Sequence, residues 1–384
     1  ILSNLFDCKI HLTYQNSFYA YLYPRIVNNP DNFERFSGLS REISRAGLKS
    51  GETDLSGLGY QNRWMIIQFG RGRQSWAAGK DIELTLNDNS NNYDYGLIGL
   101  NFNKLRVRYF HGFLETDSLQ INRYITARGI EWSNKKSIVI SLSETIVYSG
   151  YKRPIDIAYL NPIATHLEIE LNDRQNRIGT SSGNGVWQLA FDCLPKSNLR
   201  LSFNLIIDEF IIDKSERDTG KEDGIAYSTR ISFSPFIREK FIFTSYISLV
   251  NVGTPVFRHN DGNNNFVQRN KPLGWEYGSD GRETKIGINM LYSNDLIVES
   301  NLGFRESGEE SIILNSYAPY KDYIKDKFPS GKSIITNFIN LDVKWWWKPN
   351  ISIYSSLEIL KVQNINDYNF NVGVNLFYPK NFML

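Results

Sequence analysis

The chain alternates between apolar and polar positions in many short runs. Between Asn337 and Trp345, Ile339, Leu341, Val343 and Trp345 share one parity, while Asn340, Asp342 and Lys344 share the other. Successive side chains of a strand point to opposite faces, so this run is apolar on one side and charged on the other. The next run repeats the arrangement, with Ile351, Ile353, Leu357 and Ile359 opposite Ser352, Tyr354, Ser356 and Glu358. Ile225, Tyr227, Ile231 and Phe233 oppose Ser228, Arg230 and Ser232 in the same way, and further copies begin near Leu199, Phe241, Leu296 and Phe370. Each run has about ten residues, the length of a tilted strand that crosses a membrane.

The connections have a rhythm of their own. Brief ones at Asn103–Lys104, Ser133–Lys135, Pro195–Asn198, Phe236–Glu239, Ser293–Asn294 and Lys348–Asn350 alternate with long ones. The long set covers Gln74–Asp94, Gly150–Gly183, Ile211–Asp223, Asn251–Arg282 and Glu306–Lys332. A soluble sandwich with Greek-key crossings has no reason to keep such an order. The pattern predicts an all-β chain: a transmembrane antiparallel up-and-down β-barrel of about 16 strands, range about 14 to 18, with short periplasmic turns and long external loops. It reads as a single domain over residues 1–384. Trp345, Trp346 and Trp347, just before the Lys348-Pro349-Asn350 turn, suit an interfacial aromatic girdle.

Composition narrows the picture. No apolar run reaches the roughly 18 residues of a membrane-spanning helix, so a membrane protein of this sequence spans with strands. The 43 basic and 41 acidic side chains are spread along the chain, which gives a nucleic-acid partner no support. Cys8 and Cys193 are too few for a disulfide framework, and their redox state is open at this point. The start at Ile1, without Met or an export signal, fits a mature or truncated product.

Catalytic signatures are weak. His11, His111, His166 and His259 are not spaced as metal ligands, so no metal site is expected. Gly179-Thr180-Ser181-Ser182-Gly183 matches GxSxG without the strand-then-helix setting of a nucleophile elbow. Gly331-Lys332-Ser333 lacks the first glycine of a phosphate loop, since Asp326 occupies that place. Polar and aromatic residues concentrate instead in Phe69–Asn89 and Glu144–Pro162. In the second, Asn161 and Pro162 read as N-cap and first residue of a short helix, with Ile163, Leu167 and Leu171 recurring every four residues. That helix is expected within 150–183, folded into the barrel mouth or packed over its rim.

These segments resemble the Wzi family of capsule-assembly proteins over roughly residues 60 to 305. The Gly-Arg-rich strand, tryptophan with a glycine turn, and Asn-containing strand end typical of the family fall in order between Gly70 and Asn89. A glutamate and tyrosine pair with a Tyr-Leu-Asn-Pro stretch follows between Glu144 and Pro162, and Pro272–Gly278 resembles a shared Pro-Leu-Gly element. The family's Trp-Gly-Pro-Gly turn is here Trp76-Ala77-Ala78-Gly79. The resemblance implies a barrel of the Gram-negative outer membrane with a lectin-like role: it would bind capsular polysaccharide or exopolysaccharide and help hold the capsule, without covalent chemistry, catalytic residues or cofactor. Lipid, lipopolysaccharide and other export or assembly proteins are the further partners expected. Arg73, Trp76, Asn87, Asp88, Arg153, Tyr159, Asn161 and Trp187 are of the types that stack on sugar rings or bond hydroxyls. Arg71, Glu144, Asp342 and Lys344 are expected to face a polar lumen. A solute-conducting porin is the competing expectation, because a water-filled channel also needs lumen charges and long loops. An outer-membrane hydrolase working through His166 is a third.

Overall fold

A computed structural model describes residues 5–378 apart from 31–32, 34–35, 42–46, 177–181, 212–213, 220–221, 321–326 and 364. Most of the GxSxG match (179–181) and Asp326 lie outside the described residues.

The first strands are β1 (Leu5–Asp7), β2 (Ile10–Tyr14), β3 (Phe18–Val27), β4 (Ser50–Gln61), β5 (Met65–Gly72), β6 (Tyr93–Phe102) and β7 (Leu105–Thr116). Next come β8 (Ile121–Ser133), β9 (Ile138–Tyr151), β10 (Asn184–Lys196), β11 (Leu199–Glu209), β12 (Gly224–Arg238) and β13 (Phe241–Val252). A small hairpin, β14 (Val267–Gln268) and β15 (Lys271–Pro272), stands apart from the large sheet. The wall resumes with β16 (Gly281–Tyr292), β17 (Leu296–Ser307), β18 (Ile334–Lys348), β19 (Ile351–Val362) and β20 (Ile365–Leu376).

Every ladder is antiparallel. β1 and β2 share one stave against the two ends of β3, and pairing then runs neighbour to neighbour to β20. The described residues therefore give seventeen staves, where the sequence suggested about sixteen. That number lies within the expected range, and the first stave is broken at Cys8–Lys9 between β1 and β2. Short turns follow β6, β8, β10, β12, β16 and β18 as expected, while the connection 117–120 breaks the rhythm by being short at the end where most loops are long.

Parity separates the two faces. Ile339, Leu341 and Trp345 are 48%, 36% and 44% exposed and point outward, whereas Phe338, of opposite parity, is buried inside. Asp342 and Lys344 share Phe338's parity, on the inward side of the strand. Trp347 is exposed with Trp345, while Trp346 turns the other way and stacks on Phe377 at 5.2 Å. The two cysteines are free: Cys8 is exposed, and Cys193 is half-buried opposite Ile138 on the outward face. The largest buried cluster lies inside the wall, where inward side chains of β6 to β13 pack against two loops, 73–92 and 253–280.

Candidate functional site

Loop 73–92 descends into the lumen. Trp76, Ile82, Leu84 and Leu86 are 4% exposed or less, and Trp76 packs edge-on against Phe110 with the Arg108 guanidinium 4.6 Å over its ring. Inside a barrel such a loop has no ladder to satisfy its backbone, so the wall must supply partners. Asn204 receives a hydrogen bond from Ala78 N and donates to Ala78 O, Ser228 donates to Ile82 O, and Arg230 to Lys80 O. Farther round, Lys80 Nζ pairs with Glu299 at 3.1 Å. Strands as far apart as β7 and β17 thus touch one loop, because the sheet curls around it.

Loop 253–280 closes over the first. Phe257, Phe266, Val267, Leu273 and Trp275 are at most 2% exposed. Asn87 N donates to Leu273 O and Trp275 N to Leu84 O, which stitches the two loops along a backbone seam. Gly274 lies in this seam, where a Cβ would run into the Leu84 carbonyl oxygen. Arg123 of β8 is 1% exposed and donates to the carbonyls of Asn263, Asn265 and Val267, at 2.6 to 2.8 Å. Asp280 accepts from Thr254, Ser330 and Glu310, tying this loop to the one after β17. Together the loops fill the upper lumen with packed apolar side chains.

On the outer surface of this plug, polar groups form a crown in two sets. Asn89 Nδ2 donates to Glu276 Oε2 at 3.2 Å, with Asp88 exposed beside them. The β14–β15 hairpin turns through Arg269 and Asn270, both with positive φ and both exposed. Asn270 N donates to the Tyr317 hydroxyl, which donates to Glu115 at 2.8 Å. Burial pushes Tyr317 up to about 12, against the pull of Arg123, so it remains a donor at neutral pH. This crown offers amide, carboxylate, guanidinium and phenol groups, the planar donors and acceptors that read sugar hydroxyls.

The residues expected from sequence divide between two places. Arg73 is held by Ser90 O and Asp54, Asn87 lies in the seam, Trp76 is enclosed, and Asp88 is exposed on the crown. Arg153, Tyr159, Asn161 and Trp187 are on the other side of the wall. Residues 154–171 do not enter the mouth; they fold back over the outside of β8, β9 and β10, where Tyr159, Asn161 and His166 meet Tyr148, Arg128 and Glu144. Outward parity on β9 runs Ile140, Leu142, Glu144, Ile146 and Tyr148, and the first two are 39% and 43% exposed. Glu144 therefore faces outward and not into the lumen, and Arg71 shares this outward orientation beside Asp94 at 3.2 Å. The expected helix is likewise displaced. It forms as two turns, α1 (Ile157–Leu160) capped by Asp156 and α2 (His166–Leu171) capped by Thr165, while Asn161 ends α1. A carboxylate and a hydroxyl nearer each helical run capture the free N–H groups first.

Sequence reasoning missed Glu115, Arg269, Asn270 and Tyr317. The Gln268-Arg269-Asn270-Lys271 turn was the available signal, a two-residue connection between apolar positions, though its left-handed backbone falls on neither Gly nor Asp.

The architecture is that of an outer-membrane β-barrel with an internally plugged mouth. No family model matches the chain, and no curated protein matches it. Among solved structures it is similar to Wzi of Escherichia coli, described as an outer membrane protein involved in group 1 capsule assembly and a carbohydrate-binding β-barrel. That similarity has 12% identity and a TM-score of 0.69, covering 96% of this chain and 76% of that one. OccK9 of Pseudomonas aeruginosa is also similar, at 10% identity and a TM-score of 0.50, covering 98% and 90%. At such identities the likeness is one of fold.

Proposed function

We propose that this chain is a non-enzymatic, lectin-like protein of the outer membrane that binds exported polysaccharide and helps hold it at the cell surface. One observation carries the choice over a solute channel: apolar side chains from loops 73–92 and 253–280, buried to a few per cent exposure, fill the upper lumen. A diffusion pore needs that space for water. The crown above the plug supplies sugar-reading groups, and the carbohydrate binding described for Wzi agrees with the reading.

The test has two arms. In planar bilayers the purified chain should give no steady single-channel current, and large steady currents would favour the porin reading. In cells, Asp88→Ala, Arg269→Ala and Asn270→Ala should each release surface polysaccharide. One lost hydrogen bond of about 1.4 kcal/mol weakens binding about tenfold. Variants that fold, as shown by heat-dependent gel mobility, yet retain polysaccharide like the parent would sink the crown assignment.

A further inference from the structure

The segment 154–171 is inside out for one in water. Among the residues of 154–171, Pro154, Ile155, Ile157, Leu160, Asn161, Pro162, Ile163, Leu167 and Leu171 are exposed, and all but Asn161 are apolar. Ile157, Ile163 and Leu171 reach 81%, 86% and 82%. Of the charged residues of the segment, Asp156 and His166 are buried and Glu170 is half-buried, while Glu168 pairs with Arg174 at the far edge, their side chains 42% and 44% exposed. The Glu170 carboxylate accepts hydrogen bonds from the Tyr159 hydroxyl and Gly183 N.

Beneath this cover the outward wall is polar. Glu144 Oε1 lies 2.6 Å from His166 Nδ1, Glu144 Oε2 lies 3.3 Å from Arg128 Nε, and Arg128 Nη1 donates to Asn161 O. Tyr124, Tyr148 and Tyr159 stack in a column, with centroids 5.0 and 4.5 Å apart. The ladder rows fix the height of the cluster. One row runs Ile98–Tyr109–Arg128–Glu144–Trp187–Ile207–Ile225 through consecutive cross-strand pairs. Ile98, Ile207 and Ile225 are outward and 44%, 37% and 37% exposed, so the charged pair has lipid-facing residues on both flanks. Tilted strands make such a row climb to one side and fall to the other, which places the cluster within the apolar band and not above it. Charges facing hydrocarbon are costly unless covered and paired.

We propose that residues 154–171 lie in the outer leaflet as a saddle on the barrel wall, with their exposed apolar face against lipid acyl chains. The face is continuous with Ile130, Leu142 and Leu189 of the wall below, which are 45%, 43% and 40% exposed. Each helical turn is too short to be an interfacial helix alone, and the wall holds the pair in shape through its polar underside. Patches of this kind on a water-facing loop would mark a protein interface instead, and the test separates the two.

The experiment uses the full chain with Cys8→Ser and Cys193→Ser, carrying a spin label at Ile163→Cys, Leu167→Cys or Leu171→Cys in phosphatidylcholine vesicles. Leu142→Cys on the lipid-facing wall and Lys135→Cys in an exposed turn are the references. With a nickel chelate on both sides of the bilayer, the three saddle labels should relax with oxygen and resist nickel, as at Leu142→Cys. Nickel access equal to that at Lys135→Cys overturns the proposal. Dipolar broadening between labels of two chains overturns it too, since a second copy would then cover the face. The unsubstituted chain gives an independent reading by hydroxyl-radical footprinting in the same vesicles. Ile163 and Leu167 should be protected like Leu142, and oxidation matching that of Leu314, an exposed loop residue, would overturn the assignment.

Discussion

At the scale of single residues, the same ion-pair chemistry is worth different amounts on different parts of the wall. The side chains of Arg128 and Glu144 are 9% and 1% exposed, while those of Arg71 and Asp94 are 22% and 64% exposed. Removing one partner of a covered pair leaves a charge without solvent or counter-charge, a loss of about 3 to 5 kcal/mol. Screened surface pairs contribute about 0 to 1 kcal/mol. Arg128→Ala should therefore lower unfolding stability in urea titrations of vesicle-inserted protein by several times more than Asp94→Ala. Equal effects would mean that water reaches Glu144. The orientation of Glu144 was open to reading in the sequence, because Ile140 and Leu142 set the parity that Glu144, Ile146 and Tyr148 continue. Charge on a strand of such a barrel ordinarily belongs to the lumen. A covering segment close in sequence, whose own polar groups turn inward, reverses that rule locally.

At the scale of elements, strands were far more legible than loops. A strand declares itself through alternation because each face meets one solvent over its whole length. The plug carries the same code in fragments, with Ile82, Leu84 and Leu86 alternating like a strand and Leu273 and Trp275 answering them across the seam. Two short runs separated by nearly two hundred residues give no local sign that they pair. Gly274 is the position on which their approach depends, since any Cβ would meet the Leu84 carbonyl. Gly274→Ala should part the seam while leaving the wall intact. We expect faster hydrogen exchange at Asn87 and Trp275, whose N–H groups form the seam, and the appearance of ion conduction in bilayers. Unchanged exchange at both amides would show that the seam can shift to accept a methyl group. The crown would move with it, so polysaccharide retention should fall in the same variant.

For the whole molecule, two enclosures of opposite sense share one wall: an apolar plug inside, anchored by inward polar side chains, and an apolar saddle outside, seated on outward polar ones. Both follow from one constraint, that strand backbones satisfy each other while loops must borrow partners from the strands they cover. The remainder of the outer surface has to be plain lipid-facing barrel, and β18 tests it. Leu341 sits at the middle of this strand, outward and 36% exposed, with Ile339 and Trp345 above and below on the same face. Asp342 is the next residue and points into the lower lumen, where it is exposed. An arginine near the bilayer midplane costs about 2 to 4 kcal/mol on the lipid face. Leu341→Arg should show that cost in folding titrations into phosphatidylcholine vesicles, whereas Asp342→Arg should lose far less because lumen water solvates the new charge. In detergent micelles, which deform around a charge, the gap between the two should narrow. If both replacements were equally mild in vesicles, β18 would not face lipid, and the parity that places Leu341, Leu142 and Ile207 on one continuous apolar surface would fail with it.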